Sequence, residues 1–192
     1  MENLDVKQSI KTIEQAVQEA RRVPHGAYYY FILWGIILFL YYILNYFALT
    51  NPDPALSGLQ GWFWVVFPIG GFLSSRRSKQ DDLKETAKSI ADKVYLFAFS
   101  GFAFAYITIY LAAEFGSFNY IVTPIFCSLL GLTVFVTGGI VNERFSIIMG
   151  IVGMLIGAYC LKLEVSQQCF LASLACLFTC IVPGVKMKIQ RV

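Results

Sequence analysis

Five cysteines are the residues of this chain whose type and spacing come closest to a chemical site. Cys176 and Cys180 share one helical face at a spacing of four, but a metal ion needs further ligands and the only histidine, His25, is remote. Cys160 and Cys169 each lie near the predicted outer end of an apolar segment. On that oxidising side the two could form a disulfide. Small apolar packing is the alternative interpretation for all five. We therefore predict no metal site.

No arrangement of residues suits catalysis or cofactor binding. The motifs GxSxG and HExxH are absent from the chain, and His25 has no nucleophile placed beside it. The glycine pairs Gly70-Gly71 and Gly138-Gly139 lack the Lys and Ser or Thr that a phosphate-binding loop requires. We predict a protein that is not an enzyme, with no catalytic residue, no cofactor and no nucleic-acid partner.

A small group of polar and aromatic residues is the best candidate for a ligand pocket. Its members are Tyr42, Asn45, Tyr46 and Thr123. Asn45 interrupts a long apolar segment, and an interhelical hydrogen bond is the alternative to ligand contact there. Five charged residues next to the apolar segments are expected to be exposed interfacial charges. These are Glu114, Glu143, Arg144, Lys162 and Glu164.

The composition places the chain among membrane proteins. With 57% hydrophobic and 14% charged residues, it is too apolar for an ordinary soluble domain of 192 residues. A helix needs about 20 apolar residues to cross the hydrocarbon core of a bilayer. The predicted fold class is an all-α membrane protein with six transmembrane helices, at about 27–49, 56–73, 94–113, 120–141, 145–161 and 165–182.

The positions of the basic residues predict the orientation. All of the 15 Lys and Arg residues except Lys162 lie in four segments that alternate with pairs of spans, namely 1–26, 74–93, 142–144 and 183–192. Short segments rich in Lys and Arg stay on the cytoplasmic side. We therefore predict a multi-pass protein of the bacterial inner membrane, in contact with membrane lipids and with both termini cytoplasmic.

A weak internal repeat divides the spans into pairs. The pattern VFxxGGxxxxR occurs at 66–76 and again at 134–144, and the last span ends more loosely in the same way at Gly184 and Lys186. We predict three consecutive helical hairpins in a membrane domain at 26–192. The alternative is that a glycine followed by basic residues is simply a common ending for an inner-membrane helix.

Two cytoplasmic segments carry apolar stripes at helical spacing. The N-terminal segment 1–25 is predicted to be an amphipathic helix and linker, and the loop 74–93 to be helical. Asp81 and Asp82 suit a first helical turn, so we predict one helix from Asp81 to Ala113, a long cytoplasmic extension of the third span. The stripes could pack on each other or on the bundle, form a homo-oligomer, or bind a cytoplasmic protein partner. The predicted assembly interface comprises Val6, Ile10, Ile13, Val17, Leu83, Ala87 and Ile90.

Small residues indicate where helices pack inside the membrane. Gly150, Gly153 and Gly157 form a small-xxx-small pattern on the fifth span. Gly101 and Ala105 belong to a similar stripe on the third span. Small side chains let two helices approach closely, so we predict that both stripes face other helices.

Short apolar motifs resemble a known family. They are Leu33-Trp34-Gly35, Gly61-Trp62, Phe67-Pro68-Ile69-Gly70-Gly71, Gly138-Gly139-Ile140 and Val182-Pro183-Gly184. Together they are similar to a family of small integral membrane proteins of Bacteroidetes that also begin with a short amphipathic helix. The resemblance covers essentially the whole chain and supports the six-helix layout. It implies no activity.

The sequence favours a non-enzymatic scaffold, sensor or regulatory subunit that assembles through its cytoplasmic helices. A small-solute or lipid transporter is the alternative, because six helices in a chain of this length also outline the substrate-binding membrane subunits of vitamin transporters. A pore-forming effector is a third possibility, although charge-poor helices do not suggest an aqueous path.

Overall fold

The computed structural model describes residues 10–12, 14, 27–51, 55–56, 58, 65–82, 90–116 and 119–189, and within these ranges every regular element is a helix. The longer helices are α1 (Ala27–Thr50), α2 (Val66–Asp82), α3 (Ile90–Gly116), α4 (Asn119–Ile140), α5 (Arg144–Cys160), α6 (Val165–Cys176) and α7 (Val182–Ile189). A π-helical turn, Leu177–Ile181, joins α6 to α7. The predicted all-α class is confirmed for this part of the chain.

Four helical stretches of the described residues are long and apolar enough to cross a membrane. They are Ala27–Thr50, Lys93–Ala113, Tyr120–Ile140 and Val165–Ile189. The last of these is longer than the predicted span 165–182, because the helix continues through the π-helical turn to Ile189. The fifth predicted span corresponds to α5, an apolar helix of only 17 residues.

Helix α2 differs from the second predicted span, 56–73. It begins at Val66 and continues to Asp82, so the first part of the predicted loop 74–93 belongs to the same helix. Residues 72–82 contain neither Gly nor Pro, and nothing in them ends a helix at the edge of the apolar segment. Asp82 therefore closes α2, whereas the sequence places it in the first turn of the next helix. Residues 83–89 lie outside the described residues, and α3 begins at Ile90.

The centre of the bundle is formed by α4 and the α6–α7 helix. In the most apolar window of each span, 61% of α4 and 56% of Val165–Ile189 is buried, compared with 28% of α1 and 6% of α3. One face of α4 is almost completely enclosed, and its residues are Phe126, Leu130, Val134 and Thr137. Helix α3 therefore lies at the edge of the bundle, with most of its surface facing outward.

Glycines bring α4 and α5 into backbone-to-backbone contact. A Cβ atom added at Gly150 would lie 2.5 Å from the backbone nitrogen of Phe135, and one at Gly131 would lie 2.5 Å from that of Met154. Real Cβ atoms do not come so close, so only glycine fits at these positions. The other two glycines at helix contacts of α5 are Gly153 and Gly157. The glycine pattern of the fifth predicted span thus lies where α5 meets its neighbours.

Aromatic rings attach α3 to the bundle. The ring centroids of Phe102 and Tyr106 lie 5.7 and 5.0 Å from that of Phe126 on α4. In the predicted stripe of small residues, Gly101 is exposed with nothing within 4 Å of an added Cβ, whereas Ala105 is half-buried. Large rings span the wider gap between α3 and its neighbours, which small residues cannot fill.

Replacing Gly150 with Ala should destabilise the protein, because the new Cβ would press on Phe135 and Gly131. Overpacking of this kind costs about 1–3 kcal/mol. The matched control is Gly101→Ala, which enters open space inside a helix and should be neutral or stabilising by about 0.5–1 kcal/mol. Thermal unfolding in lipid nanodiscs, followed by tryptophan fluorescence, compares the two variants. Equal unfolding temperatures would contradict the packing assigned to Gly150.

Candidate functional site

Three of the four predicted pocket residues are buried, and the fourth, Tyr46, is half-buried. Tyr42 is buried on α1, and its hydroxyl lies 3.3 Å from that of Tyr106 on α3. Asn45 is also buried, and its side-chain amide donates to the carbonyl oxygen of Tyr41 at 2.7 Å. The Tyr46 ring packs 5.4 Å from that of Phe170. Thr123 is buried on α4.

The ring of Phe126 packs against both tyrosines. Its side chain is completely buried, and its ring centroid lies 4.8 Å from that of Tyr42 and 5.0 Å from that of Tyr106. We call Tyr42, Tyr106 and Phe126 the tyrosine cluster. Because the three rings come from α1, α3 and α4, they fix the spacing of these helices. In this conformation the cluster fills its own interior.

A second group of polar residues lies at the turn between α4 and α5. Glu143 is the N-cap of α5: its carboxylate accepts a hydrogen bond from the backbone N–H of Ser146 at 2.5 Å. The same carboxylate accepts a hydrogen bond from Lys186 Nζ on α7 at 2.7 Å, and it is only 15% exposed. Lys186 Nζ also lies 4.4 Å from the centre of the Phe145 ring. We call Glu143, Ser146 and Lys186 the turn cluster.

This turn depends on a glycine and on a residue in the left-handed backbone conformation. Asn142 has a φ of 56°, a conformation in which Asn is enriched. The N–H of Glu143 donates to the carbonyl of Gly138 at 2.8 Å. A Cβ added at Gly138 would lie 2.8 Å from the Cβ of Ser146. Gly138, the first residue of the Gly138-Gly139 pair, therefore allows Glu143 to lie close to the start of α5.

One buried hydroxyl group belongs to the turn cluster, that of Ser146, and a second, that of Tyr95, lies near it. Tyr95 on α3 is 8% exposed, and its hydroxyl lies near Thr137 and Glu143. The Tyr95 hydroxyl and the Ser146 hydroxyl make no hydrogen bond of good geometry to any atom that the structure describes. Buried polar groups without partners are costly. This end of the bundle is therefore more polar than the sequence suggested.

The environment of Glu143 alters its acidity. Burial raises the pKa of the carboxyl, but the hydrogen bonds from Lys186 and Ser146 and the positive charge of Lys186 outweigh burial. The pKa therefore lies below its ordinary value of 4.5. The expectation that Glu143 is an exposed interfacial charge is wrong, because the turn folds its side chain against α7. Arg144, the next residue, is exposed.

The cysteines are buried and unbridged. All five are free thiols, so the disulfide considered between Cys160 and Cys169 is not present in this structure. Among the described residues, no three His, Cys, Asp or Glu side chains come together as a group that could hold a metal ion.

The structure describes two of the seven residues of the predicted assembly interface. Ile10 is helical and 51% exposed, and the backbone of Ile90 begins α3. Five residues of the interface lie outside the described residues, namely Val6, Ile13, Val17, Leu83 and Ala87. The stripes themselves therefore stay a prediction.

Comparison of the chain with protein-family models, with curated proteins and with solved structures found no match. The functional argument therefore depends on the residues and contacts described above.

Replacing Lys186 with Met should destabilise the protein by about 1 kcal/mol, since it removes one charge-assisted hydrogen bond that is partly screened by solvent. Because the pKa of Glu143 is lowered in the folded protein, its contribution to stability is present above pH 4.5 and is lost as the pH falls through the lowered pKa. Lys186→Met should therefore lose less stability than the wild type over this acidic range.

Thermal unfolding between pH 7 and pH 3 measures this difference. Lys188→Met is the matched control, because Lys188 is exposed on the same helix and should leave the pH dependence unchanged. The role of the turn cluster is refuted if the two variants show the same acid dependence.

Proposed function

We propose that this chain is a non-enzymatic integral protein of the bacterial inner membrane that serves as a scaffold, sensor or regulatory subunit. Four apolar helices of spanning length support an integral membrane protein. The concentration of Lys and Arg in four segments supports a cytoplasmic location for both termini. The resemblance to small Bacteroidetes membrane proteins agrees with this layout.

Six transmembrane helices arranged as three hairpins remain part of the proposal. Helix α5 has 17 residues, which lies at the lower limit for a transmembrane helix, and short turns at 141–143 and 161–164 connect it to α4 and α6. Three consecutive apolar helices joined by short turns support an up-and-down order in the second half of the chain. For the second span, 56–73, the described part of the helix begins at Val66.

The observation that favours a scaffold is the contrast between the centre of the bundle and α3. The centre is filled by rings and by glycine contacts, whereas only 6% of the apolar window of α3 is buried. Its outward face carries large apolar side chains, including Phe97 and Phe104, each 73% exposed. In a membrane such a face meets lipid or the helix of another subunit. A bundle with a filled centre and an exposed edge helix, α3, suits a scaffold that contacts neighbouring proteins.

Membrane lipids are the partners that an apolar surface groove supports. An open apolar groove of about 330 Å³ runs along α4 and α5, lined mainly by Pro124, Ile125, Leu129, Leu132, Met154 and Leu161. Its lining carries hardly any polar surface, so an acyl chain suits it better than a polar solute.

A small-solute or lipid transporter is the second candidate. The tyrosine cluster favours it, because polar groups of α1 and α3 meet inside the bundle. Transport through this region would require Phe126 to move away from Tyr42 and Tyr106. Because Phe126 fills the tyrosine cluster, we favour the scaffold over the transporter.

Assembly through the cytoplasmic stripes gives the decisive test. We expect Ile10→Asp combined with Ile13→Asp to reduce the number of subunits per complex to one, because a charge on the apolar stripe cannot be buried in an interface. Subunits are counted by stepwise photobleaching of labelled protein extracted directly into native lipid nanodiscs.

Gln15→Asp is the matched control, since it introduces the same residue off the stripe and should leave the subunit count unchanged. Membrane insertion of each variant is checked by resistance to carbonate extraction. An inserted double variant with an unaltered subunit count and unaltered co-purifying proteins would exclude assembly through this stripe.

A further inference from the structure

Helix α2 packs against α1 along one of its faces. The ring centroid of Phe67 lies 6.4 Å from that of Trp34 and 5.6 Å from that of Tyr41, both on α1. The Trp34 indole N–H donates a hydrogen bond to the Ser74 hydroxyl at 3.0 Å, and Gly70, between these contacts, is buried. Phe67, Gly70 and Ser74 follow one another at helical spacing and so share one side of α2. This side of the helix is held in place by α1.

The same side of α2 ends in a basic residue next to the start of α1. Arg77 follows Ser74 by one turn, and its guanidinium carbon lies 5.6 Å from the centre of the Tyr29 ring. Tyr29 is close to Ala27, the first residue of α1. Tyrosines near the end of a spanning helix lie at the boundary between membrane and water. In the membrane protein proposed above, the basic part of α2 therefore lies at the same level as one membrane surface.

The opposite side of α2 is exposed and changes along its length from apolar to basic. Ile69 and Phe72 are 51% and 66% exposed. Arg76 and Lys79, one and two turns after Phe72, are exposed as well. The spacing of these four residues puts them on one stripe. We call Ile69, Phe72, Arg76 and Lys79 the exposed face of α2.

We propose that the exposed face of α2 binds an anionic phospholipid, with an acyl chain along Ile69 and Phe72 and the phosphate at Arg76 and Lys79. A guanidinium can donate two parallel hydrogen bonds to a phosphate, and an ammonium group adds a compact positive charge. The helix rises only about 6 Å from Phe72 to Arg76, so both parts of one lipid molecule meet the same side of α2. The site rests on the membrane location proposed above and specifies the class of lipid.

The charges of α2 favour an anionic headgroup over a zwitterionic one. Residues 66–80 contain three basic residues and neither Asp nor Glu. Asp81 and Asp82 follow only at the end of the helix, about 8 Å beyond Arg76 along its axis. Basic residues next to a membrane surface attract anionic lipids. A zwitterionic lipid brings a positive group together with its phosphate, and this group is repelled by the same residues.

A second copy of this face is a less suitable occupant than a lipid. In a two-fold dimer within a membrane, residues at the same depth lie opposite each other. Arg76 and Lys79 would then face their own counterparts, and like charges repel. The apolar groove on α4 and α5 differs from the exposed face of α2, because none of the residues that line it is charged. Only the face on α2 joins apolar contact to positive charge.

Photolabelling in lipid nanodiscs tests the site. The full-length protein is reconstituted in phosphatidylcholine with a trace of phosphatidylglycerol that carries a diazirine in its acyl chain. After irradiation, labelled residues are identified by mass spectrometry. We expect label at Ile69 or Phe72, which unlabelled phosphatidylglycerol removes and additional phosphatidylcholine does not. Glycerol 3-phosphate should not compete, because it has the anionic group without the acyl chains.

Removal of the positive charges should release the lipid. Arg76→Gln combined with Lys79→Gln should lower the apparent affinity for phosphatidylglycerol about 25-fold, because each basic residue at an anionic membrane surface strengthens binding about fivefold. The matched control is Lys93→Gln combined with Lys188→Gln, which removes two exposed charges from α3 and α7 and should leave the label on α2 unchanged. Circular dichroism checks that each variant keeps its helices.

Three results would overturn the site. They are equal labelling by a phosphatidylcholine with the same diazirine, label spread evenly over α2 and α3, and a control that lowers the affinity as much as the α2 variant. The wild-type map decides the question even if a variant fails to fold. The membrane location is tested separately by carbonate extraction of the wild-type protein. A protein that resists extraction and carries no label on α2 refutes the lipid site alone.

Discussion

The backbone contact between α4 and α5 is the interaction on which the rest of the structure depends. Inside a bilayer, apolar side chains gain little by exchanging lipid for protein, so helices associate through close packing. Gly131 and Gly150 supply this packing by letting backbone atoms touch. Gly138 extends the contact to the turn that buries Glu143, and Gly157 extends it to Ser128 and Pro124 near the other end of the hairpin. One row of glycines thus holds α4 against α5 along the hairpin.

Helix α4 combines two opposite ways of packing. Towards α5 it presents glycine and backbone, whereas towards α1 and α3 it presents the ring of Phe126, which packs against Tyr42 and Tyr106. The rings hold α1 and α3 at a distance and still fill the space, so the centre is dense although the helices are unequally spaced. Because α3 contacts its neighbours along one aromatic face, the rest of its surface remains available at the edge. This geometry supports the proposed scaffold role over the transporter.

The sequence predicted helix positions better than helix contacts. The ends of α1 and α4 agree with the apolar segments because a spanning helix has a simple length requirement. Hydropathy shows where the apolar residues end and not where the helix ends. It therefore did not predict that α2 continues to Asp82. The packing face of α3 was ambiguous, since a stripe with Gly101 and a stripe with Phe102 are both plausible interfaces. The turn cluster was missed because Lys186 lies 43 residues from Glu143, and no local signal connects them.

The sequence alone determined the helical class, the apolar lengths and the glycines that permit close approach, because composition and spacing are local properties of the chain. Only the tertiary structure decided which face of α3 turns inward and why Glu143 is enclosed. Each of these depends on the rotation of a helix about its own axis. That rotation is set by contacts between residues far apart in the chain, such as Gly150 with Phe135 and Lys186 with Glu143.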